Sequence, residues 1–551
     1  MGSKTKPRRK PGRAFRKPGK GRAQPPWLRA KQATAKKVTV KKATAKDATA
    51  KDATAKKAAA KIIGENTEEN TGENAAQHIT TASSPVPLAD DTAGAGRKDR
   101  GGGSPGEKRR RSFSQANLEA RSEGPQGAML AAALAVPRES GYRLTHAFHP
   151  YPGRFHPALP RTVLRGLLQA RRERGGANDP APQVFDPFVG GGTTLVEAML
   201  LGLPATGNDL NPVAVMVASE RTRTRDAAEA AAVEAETRRI AEAVEALRRE
   251  KNPPRANPSR IHRLTPHYQP HLLAELMQWL RLIGMLRPGP TLETLRAVFS
   301  SAVVKFSNLT SDSRPEAGPP PRYPKGAVTR FLVGKCRELT RAQTDLGQRL
   351  LPKTPRPVLL EEDARLLPSV EADSISLTLT SPPYPGTYDY HHQHQLRMDW
   401  LELDGSALLK GEVGSRREVE DATFEAADAQ KGGWSAGLRD VLGTLARVTR
   451  PGGRLVLAMG DWISNGHAVD ARNAIGRTVL PEHWSLDSSA SIRRAEHSRL
   501  EKKAFGRRGK WEHLLLFTRG GEPPKPPKPP KPPKPPGPPP STGKRIRGKT
   551  R

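Results

Sequence analysis

Two short stretches carry residue types whose spacing could do chemistry. The first is TSPPYPGTYDY, residues 380 to 390, directly after the apolar run SISLTLT (374 to 380). Proline lacks a backbone N–H and fixes φ, so Pro382 and Pro383 end a sheet ladder and leave carbonyl oxygens with no local donors opposite them. Such a turn presents hydrogen-bond acceptors, flanked here by the Ser381 hydroxyl and the Tyr384 ring. The second stretch is VFDPFVGGGTTLVEAMLLGLPATGNDLNP, which begins at Val184. Gly190, Gly191 and Gly192 let the backbone turn sharply and approach a ligand, while Thr193 and Thr194 open a helix whose amides point at the site. Asp209 stands 17 residues after Gly192, at the end of the next short strand, where a carboxylate can accept both hydroxyls of a ribose. The spacing departs from GxGxxG, because Thr194 or Leu195 replaces the third glycine. That favours a compact cofactor of adenosine and an amino acid over a pyrophosphate.

The elements that must hold these residues are strands. QVFDPF (183 to 188), SISLTLT and GRLVLAMG (453 to 460) read as buried strands, each followed by turn signals. Asp186, Ser381 and Asp461 stand at their carboxyl ends, the edge at which open α/β sheets bind ligands. The glycine loop precedes Ser381 by about 190 residues, more than a plain βαβα run needs. The excess lies in residues 222 to 350, where DAAEAAAVEAETRRIAEAVEALRRE, HLLAELMQWLRLIGML and TLRAVFSSAVVKF have helical spacing. We read this as a helical insertion and the candidate target-recognition region. Arg314, Arg322, Lys325 and Arg330 are its candidate phosphate contacts, with a solvated loop as the alternative.

Composition bounds the partner. Of 551 residues only 5% are aromatic, 53 are proline, and the formal net charge is +36. Residues 1 to 61 hold 21 Lys and Arg against 2 Asp, and residues 519 to 551 hold 10 against a single acid. Polycationic segments bind polyanions by counterion release, which points to nucleic acid over a merely solubilising tail. KKATAKDATAKDATAKKAAAK has almost nothing to bury, and EPPKPPKPPKPPKPPGPPP favours an extended polyproline helix. Residues 1–125 and 521–551 are therefore expected to be disordered tails. A cofactor-binding half (141–221) and a catalytic half (351–520) would flank the insertion (222–350). The lone cysteine, Cys336, excludes a disulfide framework, and no apolar run of membrane length appears. The expected setting is cytoplasmic and nucleoid-associated, with no membrane partner.

DPFVGGGTT followed by EA, then GNDLNP, then TSPPY resembles the S-adenosylmethionine-dependent amino-methyltransferases of DNA, the N4-cytosine and N6-adenine group, over most of residues 145 to 518. HAFHPYPGRFHPALP (146 to 160), EEDARLLP, RPGGRLVLAMGD and KWEHLLLFTR resemble further blocks of that family. The resemblance implies an α/β fold, a class I Rossmann-like methyltransferase sheet with a helical insertion. It implies S-adenosylmethionine as cofactor, held by Asp186, Phe188, Gly190, Gly192, Thr193 and Asp209. Asp363 would face the adenine, an ordinary surface acid being the alternative reading. It implies DNA as partner and opens the possibility of a companion restriction endonuclease. The sequence says nothing of oligomeric state or recognition sequence.

An exocyclic base amine is a poor nucleophile because its lone pair is delocalised into the ring. Ser381 and the Pro382 carbonyl can accept its two hydrogens, Pro383 keeps competing donors away, and Tyr384 can stack on a base flipped out of the duplex. By the family likeness Asp389 and Tyr390 would contact the target. Serine at the first motif position resembles the cytosine-N4 branch more than the adenine-N6 branch. Cys336 lacks the setting of a cytosine-C5 nucleophile and reads as a core residue. His391, His392 and His394 have no second ligand pair, so no metal is expected. The competing functions are an RNA base methyltransferase and a nucleoid-binding structural protein with an inactive core.

Overall fold

The computed structural model describes residues 119–135, 143–175, 180–250, 262–311, 314–319, 321–386, 388–415, 433–464, 466–478 and 483–520. Eight strands form one sheet: β1 (Ala120–Glu123), β2 (Val184–Asp186), β3 (Ala205–Asn208), β4 (Val358–Leu360), β5 (Ile375–Thr380), β6 (Thr449–Gly460), β7 (Trp484–Arg494) and β8 (Lys510–Arg519). Their spatial order is β1-β7-β8-β6-β5-β2-β3-β4. The five strands from β4 to β6 are mutually parallel, and β8 enters antiparallel between β6 and β7. Strand order reverses between β2 and β5, which places the crevice of a doubly wound sheet at their carboxyl ends. This is the Rossmann-like methyltransferase sheet that the resemblance implies.

Local sequence explains where the elements stop. Pro187 halts β2 after three residues, and Gly192, left-handed at φ 78°, opens helix α3, so the turn between them is compressed into six residues. The helices in chain order are α1 (Gly127–Leu134), α2 (Ala158–Glu173), α3 (Thr193–Leu200), α4 (Pro212–Thr222), α5 (Ala227–Arg249), α6 (Pro270–Ile283), α7 (Pro290–Lys305), α8 (Ala327–Arg349), α9 (Tyr390–Leu401) and α10 (Trp434–Val448). Helix α4 starts at Asn211, whose side chain accepts from the Val213 amide, with Pro212 at the first helical position. Helix α5 starts with a capping box between Asp226 and Glu229.

One face of the sheet packs Leu130, Val163, Leu164 and Leu195 against Leu377, Val456 and Leu514. The other packs Leu438, Val441 and Leu445 of α10 against Ile375, Leu455 and Leu515. Helices α5 to α8, inserted between α4 and β4, share a third core that takes in Trp400 and Leu396 of α9. The insertion is therefore packed on the helix that follows the Ser-Pro-Pro-Tyr turn. Cys336 sits in this third core, beside the Thr237 hydroxyl, with its thiol pushed up to about 11 by burial.

The tail reading of residues 1–125 needs correction at its end. Ala120–Glu123 form β1, whose four residues are all exposed. It buries nothing apolar and is held by its ladder to β7 and by the ion pair of Glu123 with Arg472. Residues 1–118 and 521–551 lie outside the described residues.

Candidate functional site

The carboxyl ends of β2, β3 and β5 open into one cleft of about 880 Å³, open to solvent. Of the residues singled out in the sequence, Asp186, Phe188, Gly190, Thr193, Asp209, Asp363, Ser381, Pro383 and Tyr390 line it. The glycine turn and the Ser381 corner thus share one edge of the sheet and one cavity.

Asp186 ties the two together. Its carboxylate accepts from Thr194 Oγ1 and from Thr380 Oγ1, both at 2.7 Å, and from the Phe188 amide at 3.2 Å. Thr194 belongs to the glycine-loop helix, and Thr380 is the residue before Ser381. Burial raises the Asp186 pKa to about 6, against the pull of those donors. Asp209 accepts from the Gly190 amide and from the Asn211 amide, both at 2.9 Å. Burial again dominates, with Asp186 and Glu361 adding repulsion, and raises Asp209 to about 7. A carboxylate has about four acceptor positions, so Asp209 keeps capacity for ligand hydroxyls.

The glycine turn is gripped from behind by Arg221, a fully buried side chain of α4. Its guanidinium donates to the Gly191 carbonyl at 2.8 Å and to the carbonyls of Phe148 and His149. A Cβ on Gly191 would lie 2.3 Å from Arg221 Nη1, which is why no larger residue fits there. The segment from Phe148 to Phe155 forms the opposite wall. It is anchored by Glu197 of α3, which accepts from His146 Nε2 and from Arg161, each at 2.9 Å. Burial works against the Glu197 charge, yet the hydrogen bonds from His146 and Arg161 hold its pKa below the ordinary value. The Tyr151 hydroxyl accepts from Asn211 Nδ2 at 3.2 Å, and its ring stacks on His394 with centroids 4.9 Å apart. Burial drives His394 well below the ordinary histidine range, so it stacks as a neutral ring.

The Ser-Pro-Pro-Tyr corner is held differently. Trp434 Nε1 donates to the Pro383 carbonyl at 2.9 Å, while the Pro382 carbonyl accepts no hydrogen bond among the described residues. Pro382 is buried, and neither it nor Tyr384 lines the cleft. The Tyr384 ring packs on the core around α10, and its hydroxyl is bonded to the Ser381 side chain and to the Gly460 backbone.

Asp389 caps α9, accepting from the His392 amide at 2.8 Å, and stands beside the cleft without lining it. Asp363 is paired with Arg365 at 2.6 Å. Gly192 lies behind the lining, against Ala218 of α4. Arg322, Lys325 and Arg330 are exposed on the insertion, and the Arg314 side chain lies outside those described.

Sequence reasoning missed Glu412, a buried acid of the cleft that accepts from the amides of Tyr390 at 2.7 Å and His391 at 3.3 Å. It sits in a segment with no motif, so no local signal could have marked it. Asp461 does not face the cleft: it accepts from Ala471, Trp511, Arg508 and His513. With Asp470 and His513 it has the spacing of a metal site, but the Arg508 guanidinium stands 3.2 Å from Asp461 and 3.1 Å from Asp470. That cation and the committed lone pairs leave no room for a metal ion. Among the described residues no helix is long and apolar enough to cross a membrane.

No family model matches the chain. It is 34% identical over 79 residues to the Type II methyltransferase M.MvaI of Kocuria varians, covering 14% of this chain and 16% of that protein. It is 31% identical over 81 residues to the Type II methyltransferase M.MjaII of Methanocaldococcus jannaschii, covering 15% of this chain and 13% of that one. The matches thus span less than a fifth of the length of either relative. Among solved structures it resembles the rRNA methyltransferase aviRa from Streptomyces viridochromogenes at 12% identity and a TM-score of 0.26, covering 69% of this chain and 90% of that one. A geranyl diphosphate methyltransferase in complex with GPP and sinefungin gives 9% identity and a TM-score of 0.24, covering 68% and 86%.

Proposed function

We propose that the chain is an S-adenosylmethionine-dependent methyltransferase acting on the exocyclic amine of a flipped DNA base, cytosine N4 ahead of adenine N6. The observation that carries this reading is the single cleft shared by the glycine turn and Ser381, with Asp186 bonded to both sides.

The cleft fits the cofactor by its donor and acceptor set. Gly190 and Asp209 stand where a ribose would be received, Asp363 and Glu362 offer polar contacts for a purine edge, and Phe188, Leu408 and Val413 supply apolar wall. When bound, the cofactor supplies a methyl group on a sulfonium, an electrophile that needs only an aligned nitrogen lone pair. The chain's own residues provide that alignment. Ser381 Oγ and the uncommitted Pro382 carbonyl accept the hydrogens of the amine, drawing its lone pair out of the ring plane. Tyr390 gives the cleft an aromatic surface for the base, and Glu412 fixes the start of its helix. Forming the new N–C bond uses the amine's lone pair, and the nitrogen sheds one proton through these acceptors to solvent at the cleft mouth. Positioning supplies the rate.

The test is to incubate the protein with labelled cofactor and either DNA or RNA, digest the nucleic acid, and identify the modified nucleoside by mass spectrometry. N4-methylcytosine in DNA is the expected product. Label found solely on N6-methyladenosine in RNA overturns the assignment of substrate, and no label on either overturns the reaction.

A further inference from the structure

We propose that Tyr384 serves the reaction through its hydroxyl, as a positioning residue that fixes the Ser381 hydroxyl, and not through its ring as a platform for the base. This rests on the amine-methyltransferase reading above and assigns a second residue to the grip on the amine.

A platform must offer a free face to the cavity. Tyr384 offers none there: it is partly buried, packs on the core that holds Trp434 and Trp462, and is absent from the lining of the cleft. Its Cε2 lies 3.5 Å from the point where a Cβ on Gly460 would stand, so the ring lies along the end of β6. Gly460 is itself fixed by the ladder, opposite Glu512 of β8. The aromatic residue that follows the motif and does line the cleft is Tyr390.

The hydroxyl, in contrast, is well placed. A backbone amide can only donate, so the Gly460 N–H occupies one lone pair of Tyr384 Oη and holds the phenol in position. The other partner of Oη is the Ser381 side chain, on the lining of the cleft. A phenol is a better donor than an alcohol, so its proton is directed to Ser381 Oγ. Burial and the nearby Glu512 charge push the phenol's pKa upward, which keeps that proton in place through the physiological range. A free serine hydroxyl rotates among three staggered positions. Bonded to Tyr384, Ser381 has one orientation, with its remaining lone pair and its own proton directed away from the tyrosine. The amine then meets an acceptor already oriented, in place of one that must be ordered during the reaction.

Three variants test this with the full-length protein and methylatable DNA. Y384F keeps the ring and deletes the hydroxyl. It should lower kcat by about 10- to 100-fold, the range for losing one oriented hydrogen bond at a reacting centre, with KM for DNA and binding of S-adenosylhomocysteine within about two-fold. S381A should lower kcat at least as far, and Y384F/S381A should be no worse than S381A alone, because the two hydroxyls act as one unit. A fully active Y384F, or a double variant whose losses multiply, overturns the inference. If Y384F melts early, 3,5-difluorotyrosine at position 384 replaces it: its more acidic phenol should move the alkaline limb of the kcat profile to lower pH, and an unmoved limb overturns the inference. A wild-type protein that methylates no nucleic acid overturns the functional reading and takes this inference with it. An active wild type with an indifferent Tyr384 hydroxyl overturns the inference alone.

Discussion

The two corners of the cleft are built on opposite principles. The glycine turn is bound by charge: Asp186, Asp209 and Arg221 supply six hydrogen bonds between 2.7 and 3.2 Å to the turn, its helix and its neighbours. The Ser-Pro-Pro-Tyr corner has no charged side chain of its own. Its shape comes from two prolines, one indole N–H on the Pro383 carbonyl and a phenol behind Ser381. A corner that only has to bind can have its polar groups saturated by the protein. A corner that must grip an amine has to keep acceptors uncommitted, and covalent stiffness is the way to hold a backbone without hydrogen bonds.

Several substitutions would break this contrast. The largest effect is expected for G191V: the new side chain meets a fully buried guanidinium that already holds three carbonyls and cannot retreat. Stability should fall by about 3 kcal/mol or more, and calorimetry should show loss of cofactor-analogue binding. D186A leaves the Thr194 and Thr380 hydroxyls without their acceptor in the interior. The cost should be about 2 to 4 kcal/mol in denaturant unfolding, and the variant should lose both cofactor binding and transfer.

Next in size is a pH effect. Asp186 and Asp209 have folded pKa values near 6 and 7, above the value of about 4 in an unfolded chain. The unfolded chain therefore releases these protons first, so their contribution to stability is full below about pH 4 and lost as pH rises through 6 and 7. Between pH 5 and pH 8 the ligand-free wild type should lose more melting temperature than D209N, in which one of the two acids no longer titrates. Equal slopes for the two proteins would refute this. The smallest effect belongs to the other corner. W434F removes one neutral hydrogen bond from Pro383, worth about 1 kcal/mol, and should lower kcat a few-fold while leaving cofactor affinity unchanged.

The parts visible in the sequence were those whose signals are local. Apolar runs ending in Pro187, Ser381 and Asp461 mark three strand ends, although β2 stops at Asp186 and β6 begins at Thr449. The second half of the sheet was harder: WSLDSSASIRR, now β7, alternates too weakly to announce a strand and gains its place by pairing with β8. Strand β1 has no apolar residue to bury and so no pattern to read. At the site, Gly190, Asp209 and Ser381 were legible because their chemistry is confined to one residue and its neighbours. Arg221, Glu197 and Glu412 were not, since each acts on backbone or side chains brought near by the fold. Asp461 misled for the same reason, a carboxylate at a strand end whose partners arrive from Trp511 and His513 on β8.

Since one carboxylate spans both halves of the cleft through Thr194 and Thr380, the halves are energetically linked. If occupancy of the glycine side tightens Asp186 on Thr380, the Ser381 side is stiffened before any nucleic acid arrives. Thermodynamic reciprocity then requires nucleic acid to strengthen the hold on the cofactor by the same factor. A single buried acid would thus make the order of arrival a property of the fold.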